Sequence, residues 1–184
     1  MGGRNKALLE FDGKRILDRV LAALEGLFRE ILLVSRDPRD YEGWPLKVVT
    51  DIFEARSSLT GIHAGLTHCR APHAFVVPCD APFLQKALIE LLLAEIAPDL
   101  DVIVPYHDNL YQPLCAIYSK RCLDLIEAQL TRGNLKIIDF FDKARLKRVP
   151  GERLRQADPA LRSFLNVNTP DALETCRRMI GSNR

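Results

Sequence analysis

The chain has 184 residues, of which 47% are hydrophobic and 27% charged, and such a composition and length fit a single globular domain spanning residues 1–184. Its formal net charge is +2, too near neutral for a surface that coats nucleic acid or a membrane. No apolar run reaches the roughly 18 residues of a membrane span, and the five cysteines form no Cys-x-x-Cys pair, so we expect reduced thiols in the cytoplasm.

Glycine and basic residues cluster at the start of the sequence, in Met1-Gly2-Gly3-Arg4-Asn5-Lys6. The amides of Gly2 and Gly3 are not shielded by side chains, so together with Lys6 they suit contact with phosphate oxygens. A frayed terminus is the simpler interpretation of so short a cluster, and these residues alone leave both interpretations open.

Helices and strands then alternate along the chain. Apolar residues three and four positions apart indicate helices, and short apolar runs between turn residues indicate strands. The predicted strands cover 30–34, 46–49, 74–77, 101–105, 111–118 and 164–168, and the predicted helices cover 16–27, 59–66, 84–93, 119–130 and 134–141, with a last one starting at Thr169.

Polar residues stand where the first two of these strands end. Ser35 follows the first strand, and Asp51 follows the second. The next helix begins with a serine cap and contains Gly61, which permits close approach by either a ligand or a neighbouring strand. Ligands bind at the carboxyl ends of strands in open parallel sheets, so these positions are candidates for a binding site.

A single carboxylate follows the most apolar strand. Asp80 lies between Pro78 and Pro82, in the connection between this strand and the next helix. An aspartate here also serves as a helix cap or turn residue. The rigid proline frame favours a second interpretation, a site for Mg²⁺, which keeps several waters and takes only one or two protein carboxylates.

Two other groups of residues receive structural interpretations. His63, His68 and His73 recur every five residues, a spacing that turns about 140° per interval and therefore does not place them on one helix face as metal ligands. Residues 143–162 contain seven basic and two acidic side chains. A solvated face is the commoner meaning of such a run, and an anion site is the alternative.

Strands that alternate with helices predict a three-layer, Rossmann-like α/β domain with a mainly parallel sheet. A turn at His107-Asp108-Asn109 makes the strands around it an antiparallel excursion from that sheet.

With these motifs located, the chain from Met1 to about Met179 resembles the molybdenum cofactor guanylyltransferase family of nucleotidyltransferases. The resemblance is specific when four segments are taken together, although each alone is weak. They are Met1-Gly2-Gly3-Arg4-Asn5-Lys6-Ala7-Leu8-Leu9, Ser57-Ser58-Leu59-Thr60-Gly61-Ile62-His63-Ala64-Gly65-Leu66, Pro78-Cys79-Asp80-Ala81-Pro82-Phe83 and Asn166-Val167-Asn168-Thr169-Pro170.

The resemblance implies an enzyme that joins GMP from GTP to molybdopterin in the presence of Mg²⁺. GTP and molybdopterin would be its small-molecule substrates, and molybdoenzymes or cofactor-delivery proteins its protein partners. The site residues implied are a phosphate ligand (Lys6), metal ligands (Asp80, Asn168) and nucleotide contacts (Gly2, Gly3, Ser35, Asp51, Gly61). The basic run after Lys143 would suit the pterin phosphate.

The chain departs from the family pattern at its start. Family members begin with a strand and a glycine-rich loop ahead of the segment at Met1, and Asn5 stands where they carry aspartate. We therefore expect about 15 further residues ahead of Met1, an apolar run followed by glycines.

Three alternative functions stay open from the sequence. A cytidylyltransferase acting on the same pterin, or a sugar-1-phosphate nucleotidyltransferase, would keep Asp80 and change the base pocket. A non-catalytic protein that binds molybdopterin or a partner enzyme is the third.

Overall fold

Strands and helices alternate through most of the computed structural model, which describes residues 6–11 and 13–167. The strands are β1 (Glu10–Phe11), β2 (Lys14–Arg15), β3 (Leu32–Val34), β4 (Lys47–Val49), β5 (His73–Val76), β6 (Val102–His107), β7 (Leu110–Tyr111), β8 (Ala116–Ser119) and β9 (Leu146–Pro150). The α-helices are α1 (Ile16–Leu24), α2 (Ser58–His68), α3 (Lys86–Leu93), α4 (Leu123–Thr131) and α5 (Gly151–Ala157).

The strands of the described residues form three separate groups. β1 and β2 are a small antiparallel hairpin, and β3 pairs with β4 in parallel. The remaining strands form one mixed sheet in the order β5-β8-β6-β7, with β9 also paired to β6. β9 runs parallel to β6, whereas the β5–β8, β8–β6 and β6–β7 pairs are antiparallel. The expectation of a mainly parallel sheet is therefore met only in part.

Helices cover both faces of the mixed sheet, as the three-layer prediction requires. Successive residues of β6 show this arrangement, because side chains alternate between the two faces of a strand. Val102 and Val104 belong to a buried cluster with α2 and α4, and Ile103 belongs to a second cluster with α1, α3 and α5. The mixed sheet is thus the middle layer between two groups of helices.

The antiparallel excursion is a hairpin of β6 and β7. Asp108 and Asn109 have φ angles of 49° and 61° and form its two-residue turn. Left-handed backbone at both central positions suits the twist of a hairpin, and Asp and Asn tolerate it better than most residues. The prediction of a turn at this point is confirmed.

In the last part of the described chain, one prediction was wrong and two elements were missed. The segment from Phe164 to Val167 is not a strand but the end of a short 3₁₀ turn followed by extended chain. The sequence analysis also missed β9 and α5. β9 reads as polar, since Lys147 and Arg148 are exposed and Val149 is its buried residue, so its strand conformation depends on pairing with β6 rather than on local pattern.

Much of the basic run holds the fold together. Lys147 and Arg153 form ion pairs with Glu95, and Arg145 pairs with Asp101. Arg148 lies over the rings of two tyrosines of the β6–β7 hairpin, with its guanidinium carbon 5.2 Å from each ring centre. These four cations form ion pairs or ring contacts within the fold, which favours the structural interpretation of the basic run.

None of the helices within the described ranges is both long and apolar enough to cross a membrane.

Candidate active site

The N-terminal turn of α2 is fixed by serine capping, as predicted. The Ser57 hydroxyl accepts a hydrogen bond from the Thr60 backbone amide at 3.1 Å, so it satisfies one of the free donors at the helix start. A Cβ atom added to Gly61 would meet no described atom within 4 Å. The backbone of Gly61 is therefore open to the approach of a ligand, whereas a Cβ atom at Gly65 would lie 3.7 Å from the side chain of Val34.

Ser35 and Asp51 are brought together at the carboxyl ends of the paired strands β3 and β4. The Ser35 amide donates to the Val49 carbonyl at 2.9 Å, which extends the pairing by one residue. Its hydroxyl donates to the Asp37 carbonyl at 3.2 Å. Asp51 reaches the start of α2, where the Thr60 hydroxyl donates to its carboxylate at 3.4 Å. Ser35, Asp51 and Gly61 thus belong to one local group.

Arg36 holds this group in place and was missed by the sequence analysis. Its Nε donates to Asp51 Oδ2 at 2.8 Å. Its Nη2 donates to three successive carbonyl oxygens of the loop between β4 and α2, those of Phe53, Glu54 and Ala55. Because one guanidinium binds both the Asp51 carboxylate and the loop backbone, it sets the position of the whole segment that leads into α2.

Asp80 lies half-buried in the turn after β5. Its backbone carbonyl accepts a hydrogen bond from the Val167 amide at 2.9 Å. This bond brings the last described residues of the chain against the Asp80 turn. Burial, with a smaller contribution from the negative charge of Asp80, raises the pKa of the adjacent Cys79 thiol to about 11, so this thiol is neutral near pH 7.

The 3₁₀ turn that begins at Lys6 approaches the same place. Ala7 is buried in a cluster with Leu17 and Leu33, and Leu8 and Cys79 pack against that cluster. The turn that begins at Lys6 therefore packs against the same cluster as Cys79, the residue that precedes Asp80. Of the other predicted site residues, Gly2, Gly3 and Asn168 lie outside the described residues.

A cavity of about 770 Å³ lies beside both the start of α2 and the Asp80 turn. Ser58 and Gly61 of α2 line it, as do Pro78 and Cys79, which precede Asp80. It extends from there between β3 and β5 as far as Arg29 and Arg70.

Two of the three histidines that recur every five residues, His63 and His73, have structural contacts, as expected. The His63 ring is buried, with Nε2 2.9 Å from Glu127 Oε1 and its edge against Phe53 at a ring-centre distance of 5.0 Å. His73 Nε2 lies 3.4 Å from the Leu100 carbonyl oxygen. Within the described ranges, no three His, Cys, Asp or Glu side chains are grouped as metal ligands.

Comparison with known proteins gives a consistent assignment. Residues 1–149 match the family model of the MobA-like NTP transferase domain. A molybdenum cofactor guanylyltransferase from Desulfosudis oleivorans is 40% identical over 183 residues, which cover 100% of this chain and 91% of that protein.

Two solved structures have a fold similar to that of this chain. The crystal structure of molybdopterin-guanine dinucleotide biosynthesis protein A from Archaeoglobus fulgidus has a TM-score of 0.83 and 28% identity, covering 98% of this chain and 92% of that one. A cytidylyltransferase from Leptospira borgpetersenii shares the fold alone, with a TM-score of 0.72 and 15% identity over 96% of this chain and 80% of that one. The protein has the fold of the nucleotidyltransferases, is an enzyme of that class, and belongs to the molybdenum cofactor guanylyltransferase family, with a MobA-like NTP transferase domain.

Proposed function

We propose that this protein transfers GMP from GTP to molybdopterin, with release of pyrophosphate, in a Mg²⁺-dependent reaction in the cytoplasm. The main support is that Ser35, Asp51 and Asp80 follow the carboxyl ends of three strands and Gly61 lies near the start of α2, in a chain 40% identical to a relative of that name. Buried free thiols at Cys115 and Cys122 suit a reducing compartment.

The reaction forms one bond and breaks another at the α-phosphorus of GTP. An oxygen of the molybdopterin phosphate attacks this phosphorus, and the bond to the bridging oxygen of the pyrophosphate breaks in line with it. No general base is required, because the attacking phosphate is already an anion. The protein therefore has two tasks, positioning the two substrates and neutralising charge.

The Asp80 turn suits a hard divalent cation. Mg²⁺ takes one or two protein carboxylates and completes its shell with waters and substrate phosphates, so the Asp80 carboxylate could supply its protein ligand. The Val167 amide donates to the Asp80 carbonyl, and Asn168, the second metal ligand that the resemblance implies, follows Val167 in the sequence. Bound there, Mg²⁺ would stabilise negative charge on the reacting phosphates.

The loop between β4 and α2 would hold the nucleoside. Arg36 holds this loop in place through the Asp51 carboxylate. The open space at Gly61 lets a ligand approach the backbone of α2. Lys6, at the start of a turn that packs against the same cluster as Cys79, would meet the phosphates together with the amides of Gly2 and Gly3. The four cations of the basic run that already have partners in the fold would contribute little to binding the pterin phosphate. The remaining candidates for binding this phosphate are Lys143, Arg155 and Arg162.

The proposal is tested by Asp80→Asn, with Asp99→Asn as a matched control at an exposed position. Removing one carboxylate from a hard-cation site removes both a ligand and its charge. We expect pyrophosphate release from GTP and molybdopterin to fall about 100-fold or more in Asp80→Asn, and to be unchanged in the control. Circular dichroism checks that both variants fold. Wild-type turnover in a folded Asp80→Asn would remove Asp80 from the mechanism.

Base preference is measured separately from turnover. At about 100 times its dissociation constant, a nucleotide stabilises the protein by about 2.7 kcal/mol, which for this size raises the melting temperature by roughly 5–11 °C. We expect this shift with GTP and Mg²⁺, and a smaller one with CTP. A larger shift with CTP would favour the cytidylyltransferase alternative, and no shift with either nucleotide would favour a non-catalytic role.

A further inference from the structure

Asp158 is a buried carboxylate at the end of α5. It is only 3% exposed, and the transfer of a carboxylate out of water is unfavourable unless the group is hydrogen-bonded. Its Oδ2 accepts a hydrogen bond from the Ser163 amide at 2.8 Å. Asp158 therefore fixes the start of the chain from Asp158 to Val167, which we name the 158–167 segment.

The backbone of this segment is tightly constrained where it begins. Pro159 follows Asp158, and the Leu161 amide donates to the Asp158 carbonyl at 2.9 Å, which closes a turn. Leu161 has a φ of 51° and a ψ of 34°, a left-handed conformation that leucine rarely adopts. Such a conformation persists only where the surrounding contacts determine it. The bond between Ser163 and Asp158 spans Leu161 and supplies one of these contacts.

The 158–167 segment holds the connection between β5 and α3 at two points. The Ser163 hydroxyl, in a residue only 1% exposed, accepts a hydrogen bond from the Gln85 amide at 3.0 Å. Gln85 is the N-cap of α3 and makes no side-chain capping bond of its own, so Ser163 satisfies one of the free donors at this helix start. Four residues after Ser163, the Val167 amide donates to the Asp80 carbonyl at 2.9 Å. The connection is thus held on both sides of Pro82.

Apolar contacts reinforce these two hydrogen bonds. The Phe164 ring stacks on that of His107, the last residue of β6, with ring centres 5.1 Å apart and an angle of 27° between the rings. Val167 is fully buried against Ile16, and Phe83 of the connection packs against this pair. The segment therefore ties α1 and the β6–β7 hairpin to the turn that contains Asp80.

We propose that Asp158 is a positioning residue for Asp80. It holds Ser163, and the 158–167 segment in turn holds the connection at Gln85 and at Asp80 itself. This inference rests on the proposed role of Asp80 as the Mg²⁺ ligand. Mg²⁺ demands nearly ideal octahedral geometry, and a misplacement of about 1 Å can lower a rate about 100-fold. Asp158 is buried, so it acts on the metal site through the chain and not by contact.

Two variants each break one bond of this arrangement. Asp158→Ala removes the acceptor of the Ser163 amide, and Ser163→Ala keeps that bond but removes the acceptor of the Gln85 amide. In hydrogen exchange read by mass spectrometry, without Mg²⁺ or nucleotide, the amides of residues 79–85 should exchange about tenfold or more faster in both variants. Exchange in α4, which packs on the other face of the mixed sheet, should not change.

The Mg²⁺ dependence of turnover separates positioning from stability. The Mg²⁺ concentration that gives half of the maximal rate should rise about tenfold or more in both variants. The KM for GTP at saturating Mg²⁺ should stay at the wild-type value. In Asp158→Asn the new amide oxygen can still accept from the Ser163 amide, so this variant should lie between Asp158→Ala and the wild type. A purely structural role would lower the melting temperature and leave the Mg²⁺ dependence of the folded enzyme unchanged.

Ser119→Ala is the matched control. Ser119 is also 1% exposed, and its hydroxyl accepts a hydrogen bond from the Arg121 amide at 3.2 Å. It lies opposite His73 at the start of β5, whereas Asp80 follows the end of that strand. Ser119→Ala should lose stability without changing the exchange of residues 79–85 or the Mg²⁺ dependence of turnover.

Three results would overturn the inference. The first is a wild-type Mg²⁺ dependence in folded Asp158→Ala and Ser163→Ala, and the second is an equal change in Ser119→Ala. The third is unchanged exchange at residues 79–85 in both variants. If Asp158→Ala does not fold, Ser163→Ala and Asp158→Asn decide the question. Wild-type turnover that needs no Mg²⁺ would refute the proposed function itself, a result distinct from these three because it appears without any substitution.

Discussion

Replacing Arg36 by methionine should loosen the loop that leads into α2. The guanidinium donates to Asp51 and to three loop carbonyls, and methionine keeps much of the aliphatic length while removing all of these bonds. The Asp51 side chain is 13% exposed, and that of Arg36 is 37% exposed. A hydrogen bond to a charged group contributes about 1.5–3 kcal/mol, and partial exposure of Arg36 reduces this value. We therefore expect a loss of about 1–2 kcal/mol in the free energy of unfolding.

Two measurements follow from this magnitude. The melting temperature of Arg36→Met should fall by roughly 2–8 °C. If the loop has to be ordered before the nucleotide binds, the same free energy weakens GTP binding by up to about 5–30-fold in the presence of Mg²⁺. Isothermal titration calorimetry measures this affinity. Arg36→Lys keeps the charge but not the forked geometry, so it should fall between the wild type and Arg36→Met.

Arg39→Met is the matched control, because Arg39 is 82% exposed and pairs with Asp37 in the same turn. Its melting temperature and GTP affinity should equal those of the wild type. The reasoning is refuted if Arg36→Met also behaves as the wild type, or if both methionine variants lose the same stability and affinity.

Two further variants probe the fold. Arg145 and Arg121 donate hydrogen bonds to the Asp101 carboxylate and hold its pKa well below the ordinary value of 3.8. The ionised Asp101 therefore stabilises the native state above about pH 4, and this stabilisation is lost as the pH falls further. In urea unfolding at pH 7, Asp101→Asn should lower the free energy of unfolding by about 2 kcal/mol. The difference in this free energy between the variant and the wild type should shrink below pH 4, and a difference that does not vary with pH would contradict this. Tyr118→Phe should lower the free energy of unfolding by about 1–3 kcal/mol in the same assay, because the buried Tyr118 hydroxyl donates to the Pro113 carbonyl at 2.6 Å. A loss below about 0.5 kcal/mol, roughly the effect of a surface substitution, would show that this hydrogen bond is dispensable.

Features with local signals were predicted well from the sequence. The serine cap of α2 and the Asp108-Asn109 turn are encoded within a few residues, since capping and turn conformations depend on the side chains at those positions. Asp80 at the end of β5 was found because an apolar run and two prolines surround it. The positions of Ser35 and Asp51 followed from the strands that precede them.

Features that depend on distant partners were missed. The acceptors of Arg36 lie 15–19 residues further along the chain, and no pattern around Arg36 indicates them. β9 is a strand because β6 supplies its hydrogen bonds and because Glu95 and two tyrosines hold its charged side chains. The expected strand at 164–168 failed within its described part for a local reason. Just ahead of it the Ser163 amide donates to Asp158 Oδ2 at 2.8 Å, and this contact favours a turn instead.

Within residues 6–11 and 13–167, β3 pairs only with β4 and β5 only with β8, so each has one edge without a described strand partner. These edges affect how the protein behaves when it is concentrated or heated. Natural proteins guard exposed strand edges with lysine, proline or inward charges, which discourage pairing between molecules. Leu32-Leu33-Val34 and Ala74-Phe75-Val76 carry none of these residues. Once thermal opening exposes them, pairing with another molecule competes with closure, and its rate rises with protein concentration. The apparent melting temperature should therefore fall as the protein concentration is raised, and the turbidity of the solution should increase as the protein unfolds.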